Sequence, residues 1–212
     1  MVWTILDACC GPKMMYKGLH RNFSQEEIVF MDIRKGVFPL DKWHVPPVIV
    51  EPDILADIHK LPFRDKVFSL ILFDPPHGSF GVAAYFGAKY GGLKPSEYVS
   101  LLIWANIEFA RVLKDDGYVF AKIHETQERN ARAVRCFGNF KQLMDIAYNS
   151  QAQRNTSKTK THWMIFVKQS ADTLSRADGN GTPAHQAQSR PRRARRQVPS
   201  QPSASLSDFS SP

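Results

Sequence analysis

The sequence is poor in the features that mark secreted, membrane-spanning and metal-binding proteins. Only three of its 212 residues are cysteines, and no CxxC pair occurs among them. They are too few for a disulfide framework and lack zinc-ligand spacing, so we expect free thiols in a reducing cytoplasm. No apolar run approaches the roughly 20 residues that span a bilayer. The first residues, MVWTILDACC, have no basic segment ahead of their apolar stretch, which argues against a secretory signal.

Large apolar side chains are almost absent from residues 171–212. This stretch consists mainly of Ser, Pro, Gln, Ala, Arg and Asp, and it includes the basic run SRPRRARRQ. Such a composition cannot bury enough apolar surface to offset the entropy of ordering, so a disordered tail is predicted after a single domain over residues 1–170. The basic run suits either phosphate contacts with nucleic acid or simple solvation of the tail, and the sequence leaves both interpretations open.

The chain as a whole is basic, with a formal net charge of +8. A balance of this size favours polyanionic partners without identifying one, and, with no apolar run that could span a bilayer, no membrane partner is expected. Hydrophobic residues make up 43% of the sequence, which is enough for one sizeable core and therefore for one domain. Nothing in the sequence indicates an oligomeric state.

Short apolar runs alternate with segments of helical periodicity. Helices are predicted over residues 95–113, with Ser96 as N-cap, and more weakly around residues 130–144. The order of elements is typical of an α/β fold, here a Rossmann-like three-layer sandwich with a mostly parallel sheet. Strands are predicted over residues 3–10, 27–33, part of 48–58, 67–73, 117–123 (after a turn at 115–117) and 161–168. Core packing is predicted for five apolar residues of the long helix: Leu101, Leu102, Trp104, Ile107 and Phe109.

Acidic residues stand at the ends of three predicted strands: Asp7, Asp32 and Asp74. In such a sheet, ligands bind in the crevice beyond the carboxyl ends of the strands. Asp32 follows Asp7 by about 25 residues, as does the acid that binds a ribose in Rossmann-type sites. The first turn lacks G-x-G-x-x-G, so a nucleoside cofactor without phosphates fits better than a dinucleotide. The alternative is that Asp7 and Asp32 only cap the helices that follow them.

Several motifs together resemble one family. The segments DACCG, FMDIR, PDILADIHKLPF, LILFDPPHG, ARVLKDDGYVFAKI and THW follow one another in the order of the class I S-adenosylmethionine-dependent methyltransferases. The set is most similar to small phage and prophage methyltransferases with a DPPH motif, which are related to amino-methyltransferases of nucleic-acid bases. The resemblance covers residues 4–168 and implies S-adenosyl-L-methionine as cofactor.

The resemblance also implies which residues bind the cofactor. Asp7 and Gly11 would line its methionine end, and Asp32 would accept hydrogen bonds from the ribose hydroxyls. Asp57 and Ile58 would lie against the adenine, although Asp57 could equally be a plain loop residue. The full predicted set of cofactor-binding residues is Asp7, Cys9, Gly11, Asp32, Ile33, Asp57 and Ile58.

The DPPH motif is the predicted catalytic segment: Asp74, Pro75, Pro76 and His77. An exocyclic amine on a base is a poor nucleophile, because its lone pair is delocalised into the ring. The Asp74 carboxylate and the Pro75 carbonyl would accept its N–H bonds, and the prolines would hold that carbonyl in a fixed direction. The amino-methyltransferases of bases have an aromatic residue where this chain has His77, which leaves the acceptor open.

The motif type points to adenine N6 or cytosine N4 as the methyl acceptor, in DNA before RNA. Nothing after these motifs is long enough for a separate target-recognition domain, so we expect that recognition is short and loose, that a partner supplies it, or that the substrate is not duplex DNA. A small-molecule methyltransferase is the alternative enzyme, and a non-catalytic binding module is the third hypothesis.

Residues 78–95 are predicted to form a lid with Tyr85, Phe86 and Tyr90 available for stacking. Basic residues expected at the rim are Lys89, Lys94, Arg154, Lys158 and Lys160, while His162 and Trp163 are expected to brace the last strand or to line the target pocket.

Overall fold

The computed structural model describes residues 4–16, 27–40, 44–76, 85–125, 130–149 and 160–169. Within these segments the helices are α1 (Tyr85–Tyr90), α2 (Pro95–Val112) and α3 (Asn130–Cys136). The strands are β1 (Ile5–Asp7), β2 (Ile28–Asp32), β3 (Gly36–Phe38), β4 (Val48–Val50), β5 (Ile54–Leu55), β6 (Phe68–Phe73), β7 (Leu113–His124), β8 (Phe140–Asn149) and β9 (Lys160–Lys168). None of the described helices is long and apolar enough to cross a membrane.

Seven of these strands form one sheet in the order β5-β2-β1-β6-β7-β9-β8. The pairs from β5 to β7 are parallel, while β9 lies antiparallel between β7 and β8. This arrangement confirms the predicted Rossmann-like fold with a mostly parallel sheet. The antiparallel pair of β3 and β4 forms a separate two-stranded sheet that the sequence did not predict. The predicted tail over residues 171–212 lies outside the described residues.

The main core lies between one face of this sheet and helices α2 and α3. Phe73 from β6 packs edge-on against Phe109 of α2, with ring centroids 5.1 Å apart. Phe137, just after α3, stacks on Phe166 of β9 at 4.9 Å. Each fully buried side chain of this size contributes about 1.5–3 kcal/mol through the area it removes from water. Aromatic contacts therefore hold α2 and the segment that follows α3 against the sheet.

The prediction of a helix around residues 130–144 is confirmed in its first half and wrong in its second half. Helix α3 ends at Cys136, and β8 begins at Phe140. The reason is tertiary: β8 pairs with β9 from Phe140↔Lys168 to Asn149↔Lys160, and these hydrogen bonds override a helical pattern that Gly138 already weakens. The chain thereby gains an edge strand in place of two helical turns.

The start of α2 also differs from the prediction. Lys94, not Ser96, is the N-cap, because Pro95 takes the first helical position, where its fixed φ and missing N–H cost nothing. Glu97 accepts a hydrogen bond from the Lys94 N–H at 2.8 Å and completes the start of the helix.

The predicted core residues of α2 divide between the two sides of the helix. Leu101, Leu102 and Phe109 are buried as predicted, whereas Trp104 and Ile107 are exposed. A single helix face points at the sheet, so the apolar stripe of α2 is wider than the surface it buries.

A clamp of polar contacts ties α2 to the loop between β5 and β6. The Glu108 carboxylate accepts the Leu61 N–H at 2.8 Å, and Arg111 donates to the carbonyls of Leu61 and Phe63 at 3.0 and 2.7 Å. Arg111 also bonds Glu108 at 2.7 Å, and this bond holds the pKa of Glu108 below its ordinary value. The clamp fixes the 3-10 turn Ile58–Lys60, which belongs to the site described below.

The predicted turn at residues 115–117 lies inside β7, where the register with β6 shifts between Phe68 and Leu70. Gly117 stands at this irregularity. A Cβ added there would lie 2.7 Å from Leu113 Cδ2 and 3.0 Å from the Lys114 carbonyl oxygen, which is closer than carbon atoms pack. A side chain at this position therefore requires the buried Leu113 side chain or the Lys114 carbonyl to shift.

We expect Gly117→Ala to lower the free energy of unfolding by about 1–3 kcal/mol, because the added methyl overpacks the bulge. Gly138→Ala is the matched control, since a Cβ at Gly138 would meet nothing within 4 Å. It should leave the stability within about 0.5 kcal/mol of wild type. Urea unfolding followed by circular dichroism measures both, and equal stability of the two variants would contradict the packing argument.

Candidate functional site

A cavity of about 350 Å³ opens beyond the carboxyl ends of β1, β2 and β6. Parallel strands bring their ends to one edge of the sheet, so residues that are far apart in sequence meet there. Its walls include all seven predicted cofactor-binding residues, with the exposed Ile33 among them, and three residues of the predicted catalytic motif: Asp74, Pro75 and Pro76. The fourth, His77, lies outside the described residues. The structure thus brings the predicted set together, while the role of each residue stays a prediction.

Asp7 is the most deeply buried of the cavity's carboxyl groups. Its Oδ2 accepts a hydrogen bond from the Tyr16 hydroxyl at 2.9 Å, and its Oδ1 accepts one from the Cys9 N–H at 3.3 Å. Burial raises the pKa of Asp7 from 3.8 to about 7; these hydrogen bonds oppose the shift, and the nearby Asp74 and Asp32 carboxylates add to it. A cation placed beside Asp7 would relieve this electrostatic cost.

Asp32 joins the end of β2 to the turn that follows β1. Its Oδ2 accepts the Gly11 N–H at 2.8 Å, and its Oδ1 accepts the Arg34 N–H at 2.9 Å. Gly11 has φ +49°, a conformation that glycine adopts readily. Each carboxylate oxygen has a second lone pair, so Asp32 can also accept a ligand hydroxyl.

Arg34 links Asp32 to helix α1 on the far side of the cavity. Its Nε lies 3.5 Å from Asp32 Oδ1, and its Nη1 donates to the Ala88 carbonyl at 3.2 Å. Gly91, with φ +75°, lies against the same guanidinium, and a Cβ there would approach it to 3.4 Å. The described part of the predicted lid is residues 85–95, and Arg34 holds its α1 helix beside the cavity, which Tyr90 lines. The rest of that lid, residues 78–84, lies outside the described residues.

Asp57 caps the 3-10 turn at the other end of the cavity. Its Oδ1 accepts the His59 backbone N–H at 2.9 Å and contacts His59 Nδ1 at 2.6 Å. Partial burial raises the pKa of Asp57, but the hydrogen bonds from His59 outweigh it and leave that pKa below the ordinary value. The His59 ring lies 5.9 Å from the Trp104 ring of α2, which does not line the cavity.

Asp74 follows β6 and meets a partner that the sequence did not predict. Lys122 Nζ from β7 lies 2.8 Å from Asp74 Oδ2, and both side chains are about three-quarters buried. The same ammonium lies 5.8 Å from the centre of the Trp163 ring on β9. The predicted catalytic carboxylate is thus fixed by an ion pair next to an aromatic ring.

His162 lies outside this cavity. Its Nδ1 contacts Asp145 Oδ1 at 2.8 Å and its Nε2 contacts Glu125 Oε1 at 3.2 Å. These contacts tie β9 to β8 and to the end of β7, which favours the predicted bracing role. Of the predicted rim residues, Lys160 is exposed at the start of β9, whereas Arg154 and Lys158 lie outside the described residues.

The cysteine thiols of the first turn are poor nucleophiles. Burial raises the pKa of Cys9 and of Cys10 above the ordinary thiol range, and the neighbouring carboxylates act in the same direction. Within the described segments, no group of three or more His, Cys, Asp or Glu side chains is arranged to hold a metal ion.

Three residues of the site were missed by the sequence analysis: Tyr16, Arg34 and Lys122. Arg34 stands two residues after Asp32, so its place beside the strand end was a usable signal. Tyr16 and Lys122 reach their carboxylates from 9 and 48 residues away, and only the folded chain brings these pairs together.

A scan against protein-family models found no match, and no curated protein matches this sequence. Among solved structures, the chain is similar to the [4+2]-cyclase SpnF, with a TM-score of 0.50 and 11% identity over 79% of this chain and 74% of that chain. It also resembles the PH0226 protein from Pyrococcus horikoshii OT3, with a TM-score of 0.49 and 14% identity over 80% and 83%.

A third similar structure is the geranyl diphosphate C-methyltransferase from Streptomyces coelicolor A3(2), solved with Mg²⁺, geranyl diphosphate and S-adenosyl-L-homocysteine. Its TM-score is 0.47, with 9% identity over 78% of this chain and 73% of that chain. At these identities the likeness concerns the fold alone, because one fold hosts many activities.

The raised pKa of Asp7 predicts a pH dependence of stability. Between pH 3.8 and about 7 the folded protein keeps a proton that the unfolded chain has released, so the contribution of Asp7 to stability is full below about pH 4 and is lost as the pH rises through 7. Asp7→Asn lacks this titration. The difference in unfolding free energy between wild type and Asp7→Asn should therefore fall over that window.

Urea unfolding at half-unit pH steps measures this difference. Tyr16→Phe is the companion variant: it removes the hydrogen bond that lowers the pKa of Asp7, so the window should extend to higher pH. A wild-type minus Asp7→Asn difference that is constant from pH 4 to 8 would rule out a buried, shifted carboxyl.

Proposed function

We propose that this protein is an S-adenosylmethionine-dependent methyltransferase that methylates an exocyclic amino group of a nucleic-acid base. The observation that supports this most is the convergence of three strand-end carboxyl groups, from Asp7, Asp32 and Asp74, on one cavity beside a first turn that lacks a phosphate-binding glycine motif. The order of its motifs, which resembles that of small phage and prophage methyltransferases, points to the same activity.

The charges of the cavity suit a cationic nucleoside. S-adenosylmethionine has an ammonium and a sulfonium, and either would offset the cost of ionising Asp7. Among the described residues that line the cavity, the basic side chains are Arg34 and His59, and both contact carboxylates. The Gly11 N–H, which would face a phosphate in a dinucleotide site, is directed at Asp32. A phosphorylated cofactor would meet repulsion here.

The residues present fit each part of this cofactor. Asp7, Cys9 and Gly11 form the wall at the end of β1, where the methionine portion would lie. Asp32 and Ile33 follow β2 and would hold the ribose, with Asp32 accepting its hydroxyl donors. Asp57 and Ile58 stand at the opposite wall and would contact the adenine, the carboxylate facing its amino group and the buried isoleucine its ring.

The bound cofactor supplies an electrophilic methyl group, and the protein's part is to orient the acceptor. The Asp74 carboxylate and the Pro75 carbonyl would accept the two N–H bonds of the acceptor amine and localise its lone pair on nitrogen. Lys122 holds Asp74 Oδ2 at 2.8 Å, so that carboxylate has a fixed direction before the acceptor arrives. Transfer would move the methyl group from the sulfonium sulfur to the nitrogen, breaking the S–C bond as the N–C bond forms, and the Asp74 carboxylate would accept the proton that the nitrogen then has to lose.

The net charge of +8 favours a polyanionic acceptor, and the DPPH motif favours adenine N6 or cytosine N4, in DNA before RNA. A base in a duplex would have to leave the stack to reach Asp74.

The proposal is tested by separating cofactor binding from transfer. Asp32→Ala should weaken S-adenosylmethionine binding about 10–100-fold, because a charge-assisted hydrogen bond is lost. Asp74→Ala should bind the cofactor nearly as wild type but lose roughly 10²–10³-fold in methyl transfer. Calorimetry measures the first effect, and labelled-methyl transfer to duplex DNA, single-stranded DNA, RNA and small-molecule pools measures the second.

Asp116→Ala is the matched control, since this exposed aspartate lies outside the cavity, and both quantities should stay at wild-type values. Cofactor binding with full transfer by Asp74→Ala would overturn the catalytic assignment alone. Absence of cofactor binding in the wild type would overturn the function. Transfer confined to small molecules would identify a different acceptor class.

A further inference from the structure

One face of the sheet across β7, β9 and β8 is open among the described residues, and we call it the platform. Neighbours across these antiparallel strands share a face, and the register places Lys122 beside Trp163 and Trp163 beside Ile146. The platform consists of Tyr118, Phe120, Lys122 and His124 on β7, Thr161, Trp163, Ile165 and Val167 on β9, and Lys141, Met144, Ile146 and Tyr148 on β8.

The alternate residues of β7 and β9 point the other way, into the main core. Val119, Ala121 and Ile123 of β7 and Met164 and Phe166 of β9 are buried with the residues of α2 and α3. Helices α2 and α3 therefore occupy the opposite face. Neither of these two helices packs on the platform.

Several large apolar side chains of the platform are exposed to solvent. Tyr118 is 43% exposed, and Met144, Ile146 and Tyr148 on β8 are 46%, 56% and 42% exposed. Ile146 lies opposite the partly buried Trp163, with Met144 and Tyr148 diagonal to it, so these three form one exposed surface on β8. Tyr118 lies opposite Val167, toward the other end of the platform. A contiguous apolar patch of this kind marks a binding surface.

The composition of the platform identifies the chemistry of its ligand. Four of its residues are aromatic, namely Tyr118, Phe120, Tyr148 and Trp163, and its strongly basic members are Lys122 and Lys141. None of its twelve residues is Asp or Glu. Aromatic rings on an open sheet stack on unpaired bases, and lysines beside them contact the phosphates.

The platform is continuous with the candidate transfer site. Asp74, Lys122, Trp163 and Ile146 follow one another across β6, β7, β9 and β8. Lys122 belongs to both, since its ammonium bonds Asp74 Oδ2 at 2.8 Å and lies 5.8 Å from the Trp163 ring centre. A strand lying along the platform would therefore have a base next to the predicted acceptor position.

We propose that the platform binds single-stranded nucleic acid, with its aromatic side chains stacking on bases that flank the one to be methylated. This rests on the proposed function and names its substrate class. A duplex keeps its base faces inside its own stack, so it offers the platform only phosphates. The acid-free, lysine-flanked surface and the net charge of +8 favour a polyanion over a protein partner.

The test is binding of a fluorescent single-stranded oligonucleotide of about 12 nucleotides to the full-length chain, measured by anisotropy without cofactor. Tyr118→Ala and Tyr148→Ala should each weaken binding about 10-fold, because one stacking partner is lost. Tyr118→Phe and Tyr148→Phe keep the ring and should bind as wild type. Trp104→Ala is the control: this residue is 42% exposed on α2, on the other side of the sheet, and should not change binding.

The basic run SRPRRARRQ is present in every variant, so its contribution cancels when the affinity of a variant is divided by that of the wild type. Three results would overturn the proposal: duplex binding as tight as that of the single strand, alanine variants that bind like Trp104→Ala, or a dimer in sedimentation that these alanine substitutions dissociate without affecting oligonucleotide binding. Since cofactor is absent, a failure of methyl transfer leaves this result unaffected, and the two proposals fail separately.

Discussion

The hydrogen bond from the Gly11 N–H to Asp32 Oδ2 is the contact on which the site depends. It joins the turn after β1 to the end of β2, so the ends of these two parallel strands together form one wall of the cavity. The turn must place that N–H inward, which requires the positive φ of Gly11. The other oxygen of Asp32 accepts the Arg34 N–H, and Arg34 reaches on to Ala88 in α1. One buried carboxylate thus organises three segments of the chain: Gly11 lies 21 residues before Asp32, and Ala88 lies 54 residues after Arg34.

Most of this site could be predicted because a parallel sheet converts sequence order into spatial proximity. An acidic residue that ends a parallel strand lies at the edge of the sheet where the carboxyl ends of the strands meet. Asp7, Asp32 and Asp74 were therefore expected to surround one crevice. The strands that these residues end are strongly apolar, so the strand boundaries could be predicted from the sequence. The Rossmann-like fold followed from the same alternation of strands and helices.

What could not be predicted depends on register and on pairing late in the chain. Lys122 faces Asp74 only because β6 and β7 align after a bulge near Gly117, a displacement that no periodicity encodes. Residues 140–144 suit a helix by composition, yet β9 supplies hydrogen-bond partners that make them a strand. The separate sheet of β3 and β4 could not be predicted, because its strands have only three residues each and are too short to show an alternating apolar pattern.

The position of β9 has a consequence for how the protein is made. This strand is the last of the described elements, yet it lies between β7 and β8 and pairs with both. While the chain emerges from the ribosome, β7 and β8 have no neighbour on their facing edges until residues 160–168 arrive. Lys168 then bonds the Leu113 carbonyl at 2.8 Å, so the end of the last strand closes on the beginning of β7. The sheet is therefore completed only when β9 is made, and until then β8 and the outer edge of β7 have no strand to pair with.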